Sequence, residues 1–225
     1  MSYLRQLRAV LWKDLLVELR TRERTVSMAA FTVLVAFLFN HALDPTRVDV
    51  QDVAAGLLWM TILFAGTLGI GRTFQLESEE GAFQGVLLSP TPKDAIYLGK
   101  VGANFAILLL IALLALAVFG LFFHLDYGAR PGMLCLVLAL GILGFVALGT
   151  LFSAISTGTS MGDTLLPILL FPLLVPMIVF GVSATDRLLA DRPIDEIAGH
   201  VRILAAFALV AVAAGAGLFR YVVEE

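Results

Sequence analysis

The chain has 225 residues, of which 60% are hydrophobic and 15% charged, and its formal net charge is −3 at pH 7. Soluble domains are typically about 45–50% apolar and about 25% charged, so this composition indicates a protein that spans a membrane. The small negative charge excludes a globally basic nucleic-acid-binding protein, and the one cysteine, Cys135, cannot form an internal disulfide.

Residues 1–24 are amphipathic and charged, and they lack the continuous apolar core of a signal peptide. One helical stripe contains Leu4, Leu7, Leu11, Leu15 and Leu19, with Trp12 at its edge. The pattern predicts an interfacial helix that contacts membrane lipid. Glu18 falls on the stripe, where Arg22, one turn later, can neutralise it. Glu18 either forms this helix-surface ion pair or docks onto a neighbouring helix or subunit.

Six charge-free runs follow, each long enough to cross a hydrocarbon core of about 30 Å as a helix. They cover residues 25–43, 53–71, 101–123, 132–155, 164–185 and 203–219. We therefore predict an all-α membrane protein with a single transmembrane domain over residues 1–225. No Asp, Glu, Lys or Arg lies inside these runs, which argues against a proton or cation pump.

The distribution of Lys and Arg predicts the orientation. With the amino terminus inside, the inner segments hold ten of these residues and the outer loops hold five. Six of the ten precede the first span, where they count most, so both termini are predicted to be cytoplasmic. The outer loops, residues 44–52, 124–130 and 186–202, are too short to fold into an enzyme domain.

The longest inner loop contains a second amphipathic helix, followed by Ser89-Pro-Thr-Pro92, which ends it. One face of this helix carries Leu76, Phe83 and Leu87, and an adjoining face carries Glu77, Glu80 and Gln84. Such a helix either receives force from a soluble partner or rests on the membrane surface, and its residues leave both interpretations open.

Few polar groups lie within the spans. Asn104 and Thr61 are the ones we single out, and Gly141, Gly144 and Gly149 allow neighbouring helices to approach closely. We expect all five residues to serve helix packing.

Four stretches resemble a known family. They are KDLLVELRTRE at residues 13–23, FQLESEEGAFQGVLLSP at 74–90, AIYLGK at 95–100 and LLPILLFPLLVP at 165–176. They are similar to the CcmB family of cytochrome c maturation haem exporters, which are permeases of ATP-binding-cassette complexes. The resemblance covers essentially the whole chain.

The resemblance implies an ABC-2-like permease with six membrane helices in the bacterial inner membrane. It implies as partners an ATPase subunit, CcmA, together with CcmC, CcmD and the haem chaperone CcmE. ATP hydrolysis would release haem-loaded CcmE, or export haem, at the outer face. Two permease copies are the default for a half-sized permease. The resemblance also implies that Ser2–Arg20 corresponds to the family's elbow helix and residues 72–92 to its coupling segment. The implied ATPase-coupling residues are Phe74, Leu76, Glu77, Glu80, Phe83, Gln84 and Leu87.

Three prolines, Pro167, Pro172 and Pro176, interrupt the fifth span. Each removes an intrahelical hydrogen bond, and such backbone persists at membrane depth only where protein or a cavity satisfies it. The pattern predicts a kinked helix that contacts protein. The kink either shapes packing or serves as a hinge that moves when the ATPase closes.

His41, His124 and His200 map to the outer ends of spans one, three and six. Neutral imidazole is a good ligand for haem iron, so these histidines are candidate haem contacts, although polar residues at span ends are also common interface anchors. The run Gly66–Gly71 lacks the lysine and Ser/Thr of a Walker loop. We therefore expect no catalytic residue, no metal and no directly bound cofactor, with ATP and Mg²⁺ on the partner ATPase and haem handled by the complex.

Two other functions share part of this pattern. An ABC-2 type exporter of a lipid or other hydrophobic cargo would share the same architecture and differ in its partners. A membrane enzyme such as an intramembrane protease or quinone reductase would need a nucleophile–base pair or cofactor ligands within the bilayer, and the charge-free spans supply neither.

Overall fold

A computed structural model describes residues 2–44, 46, 48–74, 85, 89, 91–128, 130–157 and 162–223. These residues form helices and no strand. In chain order the helices are α1 (Tyr3–Thr21), α2 (Glu23–Ala42), α3 (Val50–Gly71), α4 (Lys93–Phe123), α5 (Pro131–Thr157), α6 (Gly162–Leu189) and α7 (Ile194–Val223). The prediction of an all-α fold is confirmed.

Helices α2 to α7 are each long and apolar enough to cross a membrane. Because 20 residues of α-helix span about 30 Å, even the shortest of them, α2 with 20 residues, matches a hydrocarbon core. The protein is therefore a multi-pass membrane protein with six candidate spans preceded by one amphipathic helix.

Several helices extend beyond the charge-free runs. Helix α4 begins at Lys93 and α7 at Ile194, whereas the runs begin at residues 101 and 203. The segment 186–202 is consequently not a long loop, because only residues 190–193 separate α6 from α7. Pro92 and Pro193 stand immediately before α4 and α7. A charged residue can lie within the first turn of a helix when its side chain reaches water or a partner. Proline, which has no backbone N–H, therefore predicts the helix start better than the first charged residue does.

Helices α3 and α5 form the centre of the bundle, since most of their spanning residues are buried. Helix α5 contacts α3, α4, α6 and α7. A Cβ at Gly141, Gly144 or Gly149 of α5 would overlap Trp59, Phe207 or Ile70, respectively. These glycines allow the close helix contacts that the sequence predicts, because packing drives helix association where lipid is as apolar as the side chains.

Trp59 joins the three helices α3, α5 and α6. Its fully buried ring lies against Gly141 of α5 and Gly181 of α6. Its indole Nε1–H donates to Thr185 Oγ1 at 2.9 Å, so the polar edge of the ring is satisfied inside the bundle.

Tyr97 plays the same part between α4, α5 and α7. Its hydroxyl donates to the carbonyl oxygen of Ala147 at 2.9 Å, and its ring lies 5.5 Å from that of Phe219. The close approach of α7 depends on Gly215, where any side chain would overlap the Tyr97 ring.

A pair of glycines two residues apart in α7 tests this packing. We expect Gly215→Ala to destabilise the protein by about 1–3 kcal/mol, the usual cost of overpacking a core, because Tyr97 is held by Ala147 and cannot easily move away. A Cβ at Gly217 would meet nothing within 4 Å, so Gly217→Ala should be neutral or slightly stabilising. The midpoints of thermal unfolding in mild detergent measure the difference, and equal midpoints for the two variants would contradict this packing.

Candidate functional site

The end of the bundle that carries α1 also carries residues 72–74, which follow α3, and residues 91–92, which precede α4; we refer to it as the α1 end. Of the coupling residues implied by the resemblance, Leu76, Glu77, Glu80, Phe83, Gln84 and Leu87 lie outside the described residues. Phe74 is described. It lies in a turn just after α3 and is fully buried, which removes it from any surface that a partner touches in this conformation.

Phe74 is held between α4 and α7. The Lys100 ammonium lies 4.6 Å from the centre of its ring, and the ring of Phe219 stacks on it at 6.1 Å. A cation over an aromatic face is attracted by the ring quadrupole, more strongly when water is excluded. The first residues after α3 are therefore anchored inside the bundle.

Lys100 is the most deeply buried charged side chain among the described residues, with 1% of its surface exposed. Its ammonium donates to Asp14 Oδ2 on α1 at 3.3 Å, and Asp14 also pairs with the exposed Lys13 at 2.9 Å. Burying an unpaired charge is costly, so this ion pair is what allows α4 to continue as a buried helix through Lys100.

Asn104 lies one helical turn further along α4 and contacts three other segments. Its Oδ1 accepts from Arg24 Nη1 of α2 at 2.8 Å. Its Nδ2 donates to Thr73 Oγ1 at 3.1 Å and to Thr150 Oγ1 of α5 at 3.0 Å. Both donor hydrogens of the amide are thus used, so Asn104 does more than pack.

Glu18 of α1 completes this arrangement by docking onto α2. Its carboxylate accepts from Arg24 Nε at 3.1 Å and from the Thr25 backbone N–H at 2.8 Å. The prediction that Arg22 neutralises Glu18 is wrong. Because α1 ends at Thr21 and Arg22 adopts a left-handed conformation (φ 56°), the helical spacing that would place Arg22 beside Glu18 is lost. Arg22 instead donates to the carbonyl oxygen of Leu19.

These side chains form what we call the polar cluster. It consists of Asp14, Glu18, Arg24, Thr73, Phe74, Lys100, Asn104 and Thr150. Sequence reasoning found Glu18 and Asn104 as polar residues but did not link them. The available signal was the one-turn spacing of Asp14 and Glu18 on the face of α1 that carries Leu7, Leu11 and Leu15, matched by the one-turn spacing of Lys100 and Asn104 on α4.

Helix α1 packs along the beginning of α4. A Cβ at Gly99 would overlap Val10, and one at Gly102 would overlap Leu11. Tyr3 donates to Asp94 Oδ2 at 2.8 Å, and partial burial together with this bond raises the pKa of Tyr3. The contacts advance in the same direction along both helices, so α1 is fixed to α4 over most of its length.

The leucine stripe of α1 is divided by this packing. Leu7, Leu11 and Leu15 are partly buried, whereas Leu4 and Leu19 are 72% and 64% exposed. Trp12 is exposed as well. Leu4, Trp12 and Leu19 thus remain available for the lipid contact that the sequence predicts.

The three prolines lie within one uninterrupted helix, α6. Leu166, Leu170, Leu174 and Met177 of α6 face the core, whereas Pro172 and Pro176 are exposed on its other side. The protein contact predicted for this helix therefore comes from Leu170 and its neighbours within the chain, and the proline side is left uncovered. A hinge at these prolines stays a prediction.

The histidines occupy separate settings. His41 packs on Phe37, with its Nδ1 3.0 Å from the carbonyl oxygen of the same residue. His200 lies in α7 against Phe180, and exposed His124 lines a cleft of about 430 Å³ at the end of the bundle opposite α1. Among the described residues no three His, Cys, Asp or Glu side chains are grouped as metal ligands. Haem contact by these histidines stays a prediction.

The electrostatic environment at that opposite end is set by local hydrogen bonds. Asp44 accepts from the hydroxyl and the backbone N–H of Thr46, which lowers its pKa. Burial raises the pKa of Tyr127 to about 12, and its hydroxyl donates to the carbonyl oxygen of Leu116. Neither group titrates near neutral pH, so Asp44 stays ionised and Tyr127 stays neutral over the physiological range.

Comparison with known proteins places the chain in a family. The family model described as "CcmB protein" matches residues 5–219. "Heme exporter protein B" of Rhodobacter capsulatus is 31% identical over 199 residues, which are 86% of this chain and 90% of that protein. The proteins of the same name from Pseudomonas aeruginosa and Escherichia coli K12 are 30% and 29% identical, over 85% and 87% of this chain and 84% and 89% of their own length. The match runs from α1 to the last turn of α7 and includes every element of the polar cluster, and the chain belongs to the CcmB family.

Proposed function

We propose that the protein is the permease subunit of an ATP-binding-cassette complex that handles haem during cytochrome c biogenesis in the bacterial inner membrane. The names of its relatives, heme exporter proteins, support the cargo. The subunit contributes no catalytic residue. ATP and Mg²⁺ are bound by a partner ATPase of the CcmA type.

The anchoring of Thr73 and Phe74, at the start of residues 72–92, is the observation that carries this proposal. Thr73 and Phe74, the first residues of that stretch beyond Arg72, are fixed by Asn104, Lys100 and Phe219. A force that reaches Thr73 or Phe74 is therefore delivered to α4 and α7.

The orientation follows from charge. Ten Lys and Arg residues lie in the segments on the α1 end and five on the opposite end, which favours a cytoplasmic α1 end. The ATPase then binds residues 72–92 from the cytoplasm. Closure of the ATPase pair shifts the first, second and fifth spans at the outer face, where haem-loaded CcmE is released with the participation of CcmC and CcmD.

The coupling helix can be tested by three substitutions. Leu76→Asp, Phe83→Asp and Leu87→Asp together place charges on its apolar face, so we expect the ATPase subunit to be lost from the complex by at least tenfold. Ile194→Asp, an exposed aliphatic residue at the opposite end, is the matched control and should retain the ATPase. Purification from native membranes in mild detergent, followed by mass spectrometry and haem absorbance, measures both.

Each outcome of that purification has a distinct meaning. If the triple variant keeps the ATPase, residues 76–87 rest on the membrane and the docking surface lies elsewhere. If no ATPase accompanies the unmodified protein, the permease proposal fails. If an ATPase appears without haem or haem-binding partners, an exporter of lipid or other hydrophobic cargo replaces the haem function.

The exposed side of α6 supports a complex with two permease copies. Pro172 and Pro176 have no N–H to donate to the carbonyl groups of Ile168 and Pro172, and these residues are exposed. Lipid offers no donor to such carbonyls, whereas a second protein surface or trapped water does. We propose that this side of α6, which includes Val175, faces a second copy of the chain.

Cysteine cross-linking tests this interface. In a Cys135→Ser background, Val175→Cys should give a disulfide-linked dimer in native membranes, because residues near a two-fold axis meet their own copies. Val175 is 52% exposed, and Leu209 of α7, which is 70% exposed, provides the control. Leu209→Cys should stay monomeric on non-reducing gels. A dimer formed only through Leu209→Cys would place the interface on α7 instead.

A further inference from the structure

The polar cluster has the form of two parallel connections between the residues that leave α3 and the helix α1. The first connects Thr73 through Asn104 and Arg24 to Glu18. The second connects Phe74 through Lys100 to Asp14. Adjacent residues begin the two connections, residues one turn apart on α4 are their midpoints, and residues one turn apart on α1 are their ends.

The first connection reaches nearly every element of the α1 end. Asn104 uses one amide to bond Thr73 just after α3, Arg24 at the start of α2 and Thr150 in the last two turns of α5. Hydrogen bonds are directional and weaken steeply when donor and acceptor are displaced. A shift of Thr73 therefore changes the position that is best for Asn104, and with it the position of Arg24.

Stability alone is a weak reason for this arrangement. Replacing a buried ion pair by well-packed apolar residues is often neutral or stabilising, because the ions no longer need to be desolvated. A chain whose other spanning positions are overwhelmingly apolar places Lys100 and Arg24 in the one region where α1, α2, α4 and the end of α3 meet. Polar contacts, unlike apolar ones, fix the relative geometry of the helices that they join.

We propose that Lys100 and Asn104 are positioning residues that transmit displacement of Thr73 and Phe74, at the start of residues 72–92, to α1 and α2. The inference rests on the proposed function, because a partner must supply the displacement. In this arrangement Asn104 moves α2 through Arg24, and Lys100 moves α1 through Asp14. Removing either midpoint leaves the ATPase bound but disconnects its movement from the helices.

Hydrogen exchange on the intact complex tests the proposal. Backbone amides of residues 72–92, α1 and the first turns of α2 are compared with and without ATP and vanadate. In the unmodified complex we expect the nucleotide to change protection in all three regions. In Asn104→Leu we expect the change to stay in residues 72–92 and to fall at least fivefold in α2. Arg24 keeps Glu18 in this variant, so no charge is left unpaired.

The second connection has a matched control within the same ion cluster. Lys100→Met removes the buried partner of Asp14 and Lys13→Met removes the exposed one, with side chains of the same type and size. Lys100→Met should lower the nucleotide response of α1 around Asp14 at least threefold, because the first connection still reaches Glu18, whereas Lys13→Met should keep the full response. Exchanging the charges with Asp14→Lys and Lys100→Asp together should restore at least a third of the lost response.

The outcomes separate the inference from the function. If the nucleotide changes protection in the unmodified complex and α2 responds equally in Asn104→Leu, the inference is overturned while the proposed function stands. If Lys100→Met and Asn104→Leu both lose the bound ATPase, the cluster serves assembly and the inference is likewise overturned. If the unmodified protein binds no ATPase, the proposed function fails first.

Discussion

A bilayer gives polar groups no partners, and this constraint organises the whole structure. Backbone groups are satisfied within helices, so all six candidate spans among the described residues are helices. Side chains that cannot be satisfied within their own helix must meet across helices, and at the α1 end they gather at one place. Lys100 reaches Asp14, Arg24 reaches Glu18 and Asn104, and the helices that carry them are thereby fixed to one another. Elsewhere in the described bundle, contact between large and small apolar side chains sets the helix positions, as Trp59 does with Gly141 and Gly181.

The two kinds of contact hold different parts of the bundle together. Aromatic rings pack against glycines of neighbouring helices and so fix the distances between α3, α5, α6 and α7. The ring fills the space that the absent Cβ leaves, and the helices cannot slide past one another without a clash. The polar cluster fixes α1 and α2 to α4 by bonds that have direction and can be exchanged. The first arrangement suits a rigid centre. The second suits the transmitting role that we propose for Lys100 and Asn104.

Hydropathy was sufficient to predict six spans, because charge-free runs of about 20 residues have few alternative structures. It was not sufficient for the helix ends, since Lys93 and Ile194 begin helices whose charged first turns lie outside the apolar runs. The amphipathic character of α1 was also readable, but its partner was not. Whether Glu18 meets Arg22 or Arg24 depends on the left-handed turn at Arg22, and a burial as deep as that of Lys100 depends on α1 bringing Asp14 to it. Both depend on tertiary structure, which residue spacing along one helix does not predict.

Helix α6 is held unevenly along its length. After the last proline, Gly181 packs against the Trp59 ring and Thr185 accepts a hydrogen bond from it. The other half of the helix contains the three prolines and lacks the backbone hydrogen bonds that would stiffen it. The two halves of α6 therefore differ in stiffness, and a bend of this helix costs least at the prolines. Because Leu166, Leu170 and Leu174 pack the proline half against the core, such a bend also loosens that packing, so the stiffness of α6 is supplied there by its neighbours and not by its own backbone.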